Sequence, residues 1–225
     1  MDISNIQENH FNNYYRNHKE TEDAIFYQKI YVFLNRYLSK KETNLRVLDI
    51  GAGRGQLLNM LSNKYEKHAI EISEESIKIM EKNNIICRKH DISKNKLPYE
   101  DNYFNIVIAT EVIEHIWNPE FVLEEAYRIL KDNGLFICSV PNIYQISTII
   151  LYLFDIPPIN CARYKSIHLR DFTKKLFKKA LTENKFKILL MKGDIIFPFK
   201  CWFSRLMAGL FPRFSQRIIA FCIKI

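Results

Sequence analysis

The sequence predicts an α/β fold, a single domain built on a doubly wound and mostly parallel sheet. Two observations carry this prediction. Short apolar runs alternate with stretches of helical periodicity, and several of these runs are continuously apolar, as expected of parallel strands buried on both faces. Strands and helices that alternate at this spacing form βαβ units with right-handed crossovers. With 225 residues, the chain is long enough for one well-buried domain and short for two.

The beginning of the chain is predicted to be a polar arm followed by a helix. Residues 1–20 are polar and aperiodic, and we expect a loose arm there. From Thr21, a candidate N-cap, the apolar residues recur with the period of an amphipathic helix that ends near Ser39. A polar break over residues 40–44 then precedes the main domain, residues 45–225.

Five strands and the helices between them open this domain. The strands are runs of β-branched and other apolar residues, expected at 45–50, 68–72, 85–88, 104–110 and 135–140. Helices are expected to begin at Gln56 and at Ser73. The clearest helix has Asn118 as its N-cap, Pro119 at its first position and Gly134 beyond its end. The ligand crevice of such a sheet lies at the carboxyl ends of the strands.

The end of the chain departs from this alternation. We expect a helix over residues 173–181 and strands at 186–191 and 217–225, which pair as a hairpin. Two apolar inserts, at about 143–168 and 195–214, interrupt the pattern. They would overhang the crevice and select the substrate.

The composition favours a reducing compartment. The five cysteines are odd in number and lack C-x-x-C spacing, which argues against a disulfide framework and a zinc knuckle. No secretory h-region and no apolar run long enough to cross a bilayer is visible, so we expect a cytoplasmic protein. A net charge of +8 would favour acidic partners, but the basic residues are spread along the chain, and we do not expect nucleic acid as the partner.

A glycine-rich loop follows the first predicted strand. Gly51, Gly53 and Gly55 allow a ligand to approach the backbone closely. A dinucleotide-binding fingerprint requires G-x-G-x-x-G, whereas the sixth position here is Gln56. The spacing therefore argues against an NAD-dependent oxidoreductase, although the loop by itself is also compatible with a plain tight turn.

Acidic residues end three successive strands. Asp49 can pair with the ammonium group of a ligand, while the helix N-terminus that follows favours a carboxylate. Glu71 ends the second strand, at a position from which an acid accepts both hydroxyls of a ribose. Asp91 follows the third strand, within reach of an exocyclic adenine amine. An adenosyl amino acid fits all three acids.

The order of these motifs resembles that of class I S-adenosylmethionine-dependent methyltransferases. The stretches that carry the resemblance are Val47–Gly55, Leu97–Phe104, Glu111–His115 and Arg128–Gly134. The resemblance implies a seven-stranded Rossmann-like sheet with strand seven antiparallel, and S-adenosylmethionine as the cofactor. It assigns cofactor contacts to Asp49, Gly51, Gly53, Gly55, Glu71, Asp91, Ile92, Thr110 and Glu111. Arg54 departs from the pattern, because many relatives carry a small or polar residue there, and its side chain can turn to solvent or to the ligand.

The acceptor side is expected just after the fourth strand. A sulfonium methyl is already electrophilic, so the enzyme must mainly place a nucleophile in line and remove its proton. His115 is the candidate general base, with Glu114 and the distant His168 completing the catalytic set. A histidine that only packs beneath the loop is the alternative interpretation.

A metal centre is a further hypothesis for the same residues. Glu111, Glu114, His115 and His168 resemble the metal site of small-RNA 3′-terminal 2′-O-methyltransferases, and part of this set recurs in quinone-pathway O-methyltransferases. There, a metal binds the acceptor hydroxyls and lowers their pKa. The ligand types suit Mg²⁺, Mn²⁺ or Zn²⁺. A divalent metal is therefore compatible with the sequence, but we assign no residue to one.

The predicted function is O-methylation of a hydroxyl group on a small molecule or a glycan. The second insert can be a hydrophobic lid packed on the sheet, which is the favoured interpretation. It can also be an interfacial element that approaches lipid-linked substrates at the inner face of a membrane. The alternatives are an RNA 2′-O-methyltransferase and a non-catalytic regulatory module that binds S-adenosylmethionine.

Overall fold

A seven-stranded sheet forms the centre of the computed structural model, which describes residues 6, 8–13, 24–39, 44–156, 168–196 and 202–225. The strands are β1 (Arg46–Ile50), β2 (Glu66–Glu71), β3 (Ile86–Lys89), β4 (Phe104–Thr110), β5 (Leu130–Pro141), β6 (Phe186–Gly193) and β7 (Arg217–Lys224). The helices are α1 (Ala24–Leu38), α2 (Gln56–Met60), α3 (Glu74–Glu81), α4 (Pro119–Ile129), α5 (Ile146–Leu153), α6 (Lys174–Glu183) and α7 (Trp202–Leu210). Short 3₁₀ turns lie at Ile113–His115 and Pro212–Phe214.

The strand order is β3-β2-β1-β4-β5-β7-β6. Strands β1 to β5 are parallel to one another, and β7 runs antiparallel to both β5 and β6. This topology confirms the predicted doubly wound sheet with strand seven antiparallel, and it confirms the pairing of the last two strands. The order reverses between β1 and β4, so the carboxyl ends of these two strands border the crevice that such sheets use for ligands.

Helices cover both faces of the sheet. In β4, six of the seven side chains are buried, which explains its continuous apolar sequence. One core contains Phe104, Phe136 and Phe177, and the other contains Leu58 and Ile108. The second core also takes up the buried face of α1, whose side chains there are Phe26, Ile30, Leu34 and Leu38.

The boundary between α4 and β5 differs from the prediction. The helix ends at Ile129 and the strand begins at Leu130, about one helical turn before Gly134. Leu130 pairs with Phe104, and the register then shifts before Leu135 pairs with Ile106. The tertiary pairing with β4 therefore overrides the local signal for a helix end at Gly134.

The two predicted inserts contain helices. The first holds α5, and the second holds α7 and the Pro212–Phe214 turn. The predicted N-cap Thr21 and the apolar residues Phe197 and Phe199 lie outside the described residues. No helix in the described part of the chain is long and apolar enough to cross a membrane.

Candidate active site

A cavity of about 600 Å³ opens at the carboxyl ends of the parallel strands. The predicted site residues Gly51, Glu71, Asp91, Ile92, Glu111 and His115 line it, together with Phe11, Ile70, Ile72, His90, Val112 and Ile116. The other predicted residues, namely Asp49, Gly53, Gly55, Thr110, Glu114 and His168, are not among the lining residues.

The glycine loop between β1 and α2 has a left-handed backbone. The φ angles of Gly51, Gly53 and Gly55 are 67°, 55° and 72°, a region in which a Cβ atom is unfavourable. A Cβ on Gly51 would lie 2.5 Å from Cγ2 of Val112, so this glycine also keeps the cavity wall open. A Cβ on Gly55 would instead lie 2.8 Å from Cγ of Met80, which gives Gly55 a packing role against α3.

Glu71 is fixed at the end of β2 by backbone donors. Its Oε2 accepts a hydrogen bond from the Gly53 amide at 2.8 Å, and its Oε1 accepts bonds from the amides of Ile72 at 2.8 Å and Ser73 at 2.9 Å. Burial raises the pKa of Glu71, and these backbone bonds oppose the rise. The carboxylate thus ties the glycine loop to β2 and faces the cavity with a defined orientation.

Asp49 is a buried acid beneath the glycine loop. Its Oδ1 has no hydrogen-bond partner within the described parts of the chain. Burial, followed by the nearby charge of Glu71, raises the pKa of Asp49 to about 8. Because an unpaired buried carboxylate is costly, this oxygen is suited to a cationic ligand group.

Asp91 caps the turn that follows β3. Its Oδ1 accepts hydrogen bonds from the Ser93 amide at 2.9 Å and from the Ser93 hydroxyl at 2.6 Å. Asp91 and the neighbouring Ile92 line the cavity. Because β3 lies outside β2 in the sheet, these two residues are at the end of the cavity beyond Glu71.

Glu111 is held in a strained backbone conformation directly after β4. Its φ angle is 55°, a region that costs a non-glycine residue about 1–3 kcal/mol. The Ser139 hydroxyl donates to Glu111 Oε1 at 2.7 Å, and Arg217 Nε lies 3.4 Å from Glu111 Oε2. Side chains from β5 and β7 thus hold this carboxylate.

Glu114, His115 and His168 form a compact cluster beside the cavity. One ligand atom from each of them lies within 4.8 Å of the others. The amides of Leu169 and Arg170 both donate to the Glu114 carbonyl, at 2.8 and 3.1 Å, which brings the His168 segment to the 3₁₀ turn. The predicted proximity of His168 to His115 is therefore present. Glu111 is not part of this cluster, because its carboxylate is directed to Ser139 and Arg217.

Glu114 is the electrostatic centre of the cluster. Both of its carboxylate oxygens are buried without a hydrogen bond from the described residues, and Oε1 lies 3.8 Å from His115 Nε2. Burial raises the pKa of Glu114 well above its usual range, and the charge of Glu111 raises it further. Arg217 opposes this rise. The site thus contains a carboxyl group that readily holds a proton or pairs with a cation.

Comparison with known proteins identifies the family of this chain. A family profile described as a methyltransferase domain matches residues 18–190, more than half of the chain. The chain belongs to the class I S-adenosylmethionine-dependent methyltransferases. S-adenosylmethionine is accordingly the cofactor of this methyltransferase.

The methyltransferase has relatives among curated proteins and solved structures. It is 33% identical to an uncharacterised protein of Methanocaldococcus jannaschii over 120 residues, which cover 53% of this chain and 54% of the relative. It is 27% identical to a ubiquinone biosynthesis O-methyltransferase of Rickettsia akari over 189 residues, which cover 77% of this chain and 69% of the relative. The chain spans about half the length of the first of these relatives.

A solved S-adenosylmethionine-dependent methyltransferase of Thermotoga maritima has the same fold. Its TM-score to this methyltransferase is 0.62 at 18% sequence identity, and the match covers 100% of both chains.

Three residues at or next to the candidate site could not be found by sequence reasoning. Phe11 lies in the arm that we expected to be loose, yet its ring lines the cavity and meets the His115 ring edge-to-face at a centroid distance of 5.5 Å. The same segment is held by Asn12, whose side-chain oxygen accepts from the Ser73 hydroxyl at 2.6 Å. Ser139 and Arg217 lie close to Glu111 because of the order of the strands in the sheet. The local spacing of the sequence does not indicate this proximity.

Proposed function

We propose that this methyltransferase transfers a methyl group to a hydroxyl oxygen of a small-molecule or glycan acceptor, with His115 as the general base. The observation that carries the proposal is the position of His115. It lines the same cavity as the glycine loop and lies against Glu114 and His168. The similarity to an O-methyltransferase supports oxygen as the acceptor atom.

The residues that line the cavity, and Asp49 beneath the glycine loop, fit S-adenosylmethionine. The unpaired Oδ1 of Asp49 suits the ammonium group of the methionine moiety, either directly or through water. Glu71, which is fixed by three amides, suits the ribose hydroxyls. Gly51 leaves the space beside Val112 that a Cβ would fill. When bound, the cofactor supplies an electrophilic methyl group on a sulfonium centre.

We assign the remaining predicted cofactor contacts to the two ends of the cavity. Asp91 and Ile92 lie beyond Glu71, and we assign them to the adenine end. Thr110 ends β4 beside the glycine loop and Glu111 follows it, and we assign both to the methionine end. Gly53 contributes by donating its amide to Glu71.

The cluster around His115 supports proton removal. As His115 takes the acceptor's proton, it becomes a cation 3.8 Å from Glu114 Oε1. This cation favours the ionised form of Glu114, which burial disfavours, so that the two groups can form an ion pair. The second imidazole, His168, is 4.8 Å from the His115 ring between centroids, and it restricts where that ring can lie.

A metal-assisted reaction is the second candidate. Glu114, His115 and His168 offer one oxygen and two nitrogen ligands within 4.8 Å of one another, and the Glu114 oxygens accept no hydrogen bond from the described residues. This mixed set suits Mn²⁺ or Zn²⁺. A bound cation would supply Lewis acidity that lowers the pKa of the acceptor hydroxyl.

The deciding experiment follows S-adenosylhomocysteine release over a panel of phenols, alcohols, sugars and RNA. With a working acceptor, we expect His115→Ala to lower kcat by on the order of 10² to 10⁴ and to leave cofactor binding intact. His90→Ala is the matched control, because His90 also lines the cavity but lies outside the Glu114 cluster. The control should change at most the KM for the cofactor.

Chelation separates the two candidates. Inactivation by EDTA that Mn²⁺ reverses, together with equal losses in His168→Ala and His115→Ala, would favour the metal. Indifference to EDTA favours the simple base. A fully active His115→Ala enzyme would overturn both assignments. If RNA is the only substrate methylated, and its binding weakens steeply with salt, the acceptor is RNA and not a small molecule.

A further inference from the structure

Helix α7 presents its largest apolar side chains to solvent. Its buried residues are the small Ser204 and Ala208, whereas Trp202 is 74% exposed and Leu210 is 64% exposed. Phe203 and Leu206 are exposed as well. A surface helix normally buries its large apolar residues and exposes its polar ones. The structure therefore does not support a lid whose apolar residues pack on the sheet, at least for the described part of this insert.

Helix α5 has the same inverted pattern. It buries the polar Thr148, while Leu153 and the following Phe154 are 78% and 71% exposed. From Asn142 to Phe154 the sequence contains no charged residue. Large apolar side chains exposed together along a helix are typical of protein or membrane interaction sites.

The two helices are joined at one anchor. The side-chain amide of Asn142 donates to the carbonyls of Arg213 and Ser215, both at 2.8 Å. Asn142 precedes α5, and the two carbonyls follow α7. Asn142 also bridges to Phe172, four residues after His168. The point at which α5 begins and the turn after α7 ends thus lies close to the acceptor side of the candidate active site.

The charges near α7 are positive. Between Trp202 and Phe214 the sequence contains two basic residues, Arg205 and Arg213, and no Asp or Glu. Arg205 and Arg213 are exposed beside the apolar side chains of α7. A two-fold contact between copies of this chain through the same face would bring these like charges together, which disfavours a second copy as the occupant.

We infer that α5 and α7 form a docking surface for an anionic lipid bilayer. The helices lie in the plane of the interface, with their apolar side chains among the acyl chains and Arg205 and Arg213 at the lipid headgroups. Neither helix is long enough to cross the bilayer. The surface adjoins the acceptor side, so the acceptor is drawn from the lipid phase. Only this last step depends on the proposed function.

The test measures vesicle binding without cofactor or acceptor, so its failure is distinct from failure of the proposed function. The protein is sedimented with vesicles of phosphatidylcholine alone and of phosphatidylcholine mixed with phosphatidylserine. We expect binding to the mixed vesicles. The double variant Leu206→Ser and Leu210→Ser should weaken it by on the order of tenfold or more. The matched control, Leu176→Ser with Leu189→Ser, alters two leucines that are 47% and 48% exposed elsewhere on the molecule, and it should bind normally.

The charge contribution is tested separately. Changing Arg205 and Arg213 to Gln should lower binding to the mixed vesicles about fivefold per residue, since a basic residue at such a surface contributes about 1 kcal/mol. Lys175→Gln with Lys178→Gln, on the exposed face of α6, is the control. Thermal unfolding of each variant verifies that it is folded.

A fluorescence measurement gives an independent readout. The chain has two tryptophans, so in a Trp117→Phe background the emission reports Trp202 alone. We expect a blue shift on addition of the anionic vesicles. The inference is overturned by absence of binding and shift, by equal losses in the control variants, or by a dimer that Leu206→Ser and Leu210→Ser dissociate.

Discussion

Replacement of Gly51 by alanine tests how the glycine loop keeps the cofactor cavity open. The residue has a φ of 67°, where an L-amino acid costs about 1–2 kcal/mol. The new Cβ would also lie 2.5 Å from Cγ2 of Val112, and overpacking of this kind costs about 1–3 kcal/mol. Together these effects should lower the free energy of unfolding by about 2–5 kcal/mol.

A double-mutant cycle separates the two costs. Val112→Ala removes the methyl group that the new Cβ would meet, but it leaves the backbone strain at Gly51 in place. Gly51→Ala should therefore cost about 1–3 kcal/mol less in the Val112→Ala background than in the wild type. Urea unfolding of the four proteins measures this difference. Equal costs in both backgrounds, or a stable Gly51→Ala single variant, would refute the steric argument.

The same variants report on cofactor binding. S-adenosylmethionine at a hundredfold excess over its dissociation constant should stabilise the wild type by about 2.7 kcal/mol. Gly51→Ala narrows the cavity, and its thermal shift with the cofactor should be smaller than that of the wild type. A wild type that responds to NAD but not to S-adenosylmethionine or S-adenosylhomocysteine would contradict the assignment of the cavity.

Two further predictions concern residues at opposite ends of the site. Phe11→Ala removes the edge-to-face contact with His115, so kcat/KM should fall about two- to tenfold, while the exposed Ile6→Ala control should change little. Asp49→Asn concerns the acid whose pKa is raised to about 8 by burial. Because the folded protein holds this proton more tightly than the unfolded chain, Asp49 lowers stability progressively as the pH rises from about 4 towards 8. Asp49→Asn should therefore raise the free energy of unfolding at pH 7 by on the order of 1 to 4 kcal/mol, and flatten its pH dependence, in urea titrations without cofactor. An unchanged pH profile would contradict the raised pKa.

The strands, and the placement of acidic residues at their carboxyl ends, were predictable from local signals. Continuous apolar runs such as β4 can be recognised because burial on both faces leaves no polar position. Glu71 ends β2 and Asp91 follows β3, and parallel strands bring their carboxyl ends to one edge of the sheet. The start of β5 was not predictable, because Leu130 continues a helical pattern and is drawn into the sheet by pairing with Phe104.

The contacts made across the topology were also not predictable. Ser139 and Arg217 lie in different strands from Glu111, and only the antiparallel placement of β7 beside β5 brings them to it. Phe11 lies in a polar and aperiodic segment, where neither period nor capping residue indicates a contact with His115. The local pattern of the sequence does not indicate such long-range contacts.

Glu111 and Glu114 are close in sequence, but their carboxylates have different surroundings. The sequence places Glu111 and Glu114 three residues apart, and one metal cluster containing both was a reasonable hypothesis. The left-handed backbone at Glu111 instead directs its carboxylate to Ser139 and Arg217. Arg217 opposes the rise in the pKa of Glu114 that burial and the charge of Glu111 produce. The negative charge that His115 experiences therefore depends on an arginine in β7, far away in sequence from both glutamates.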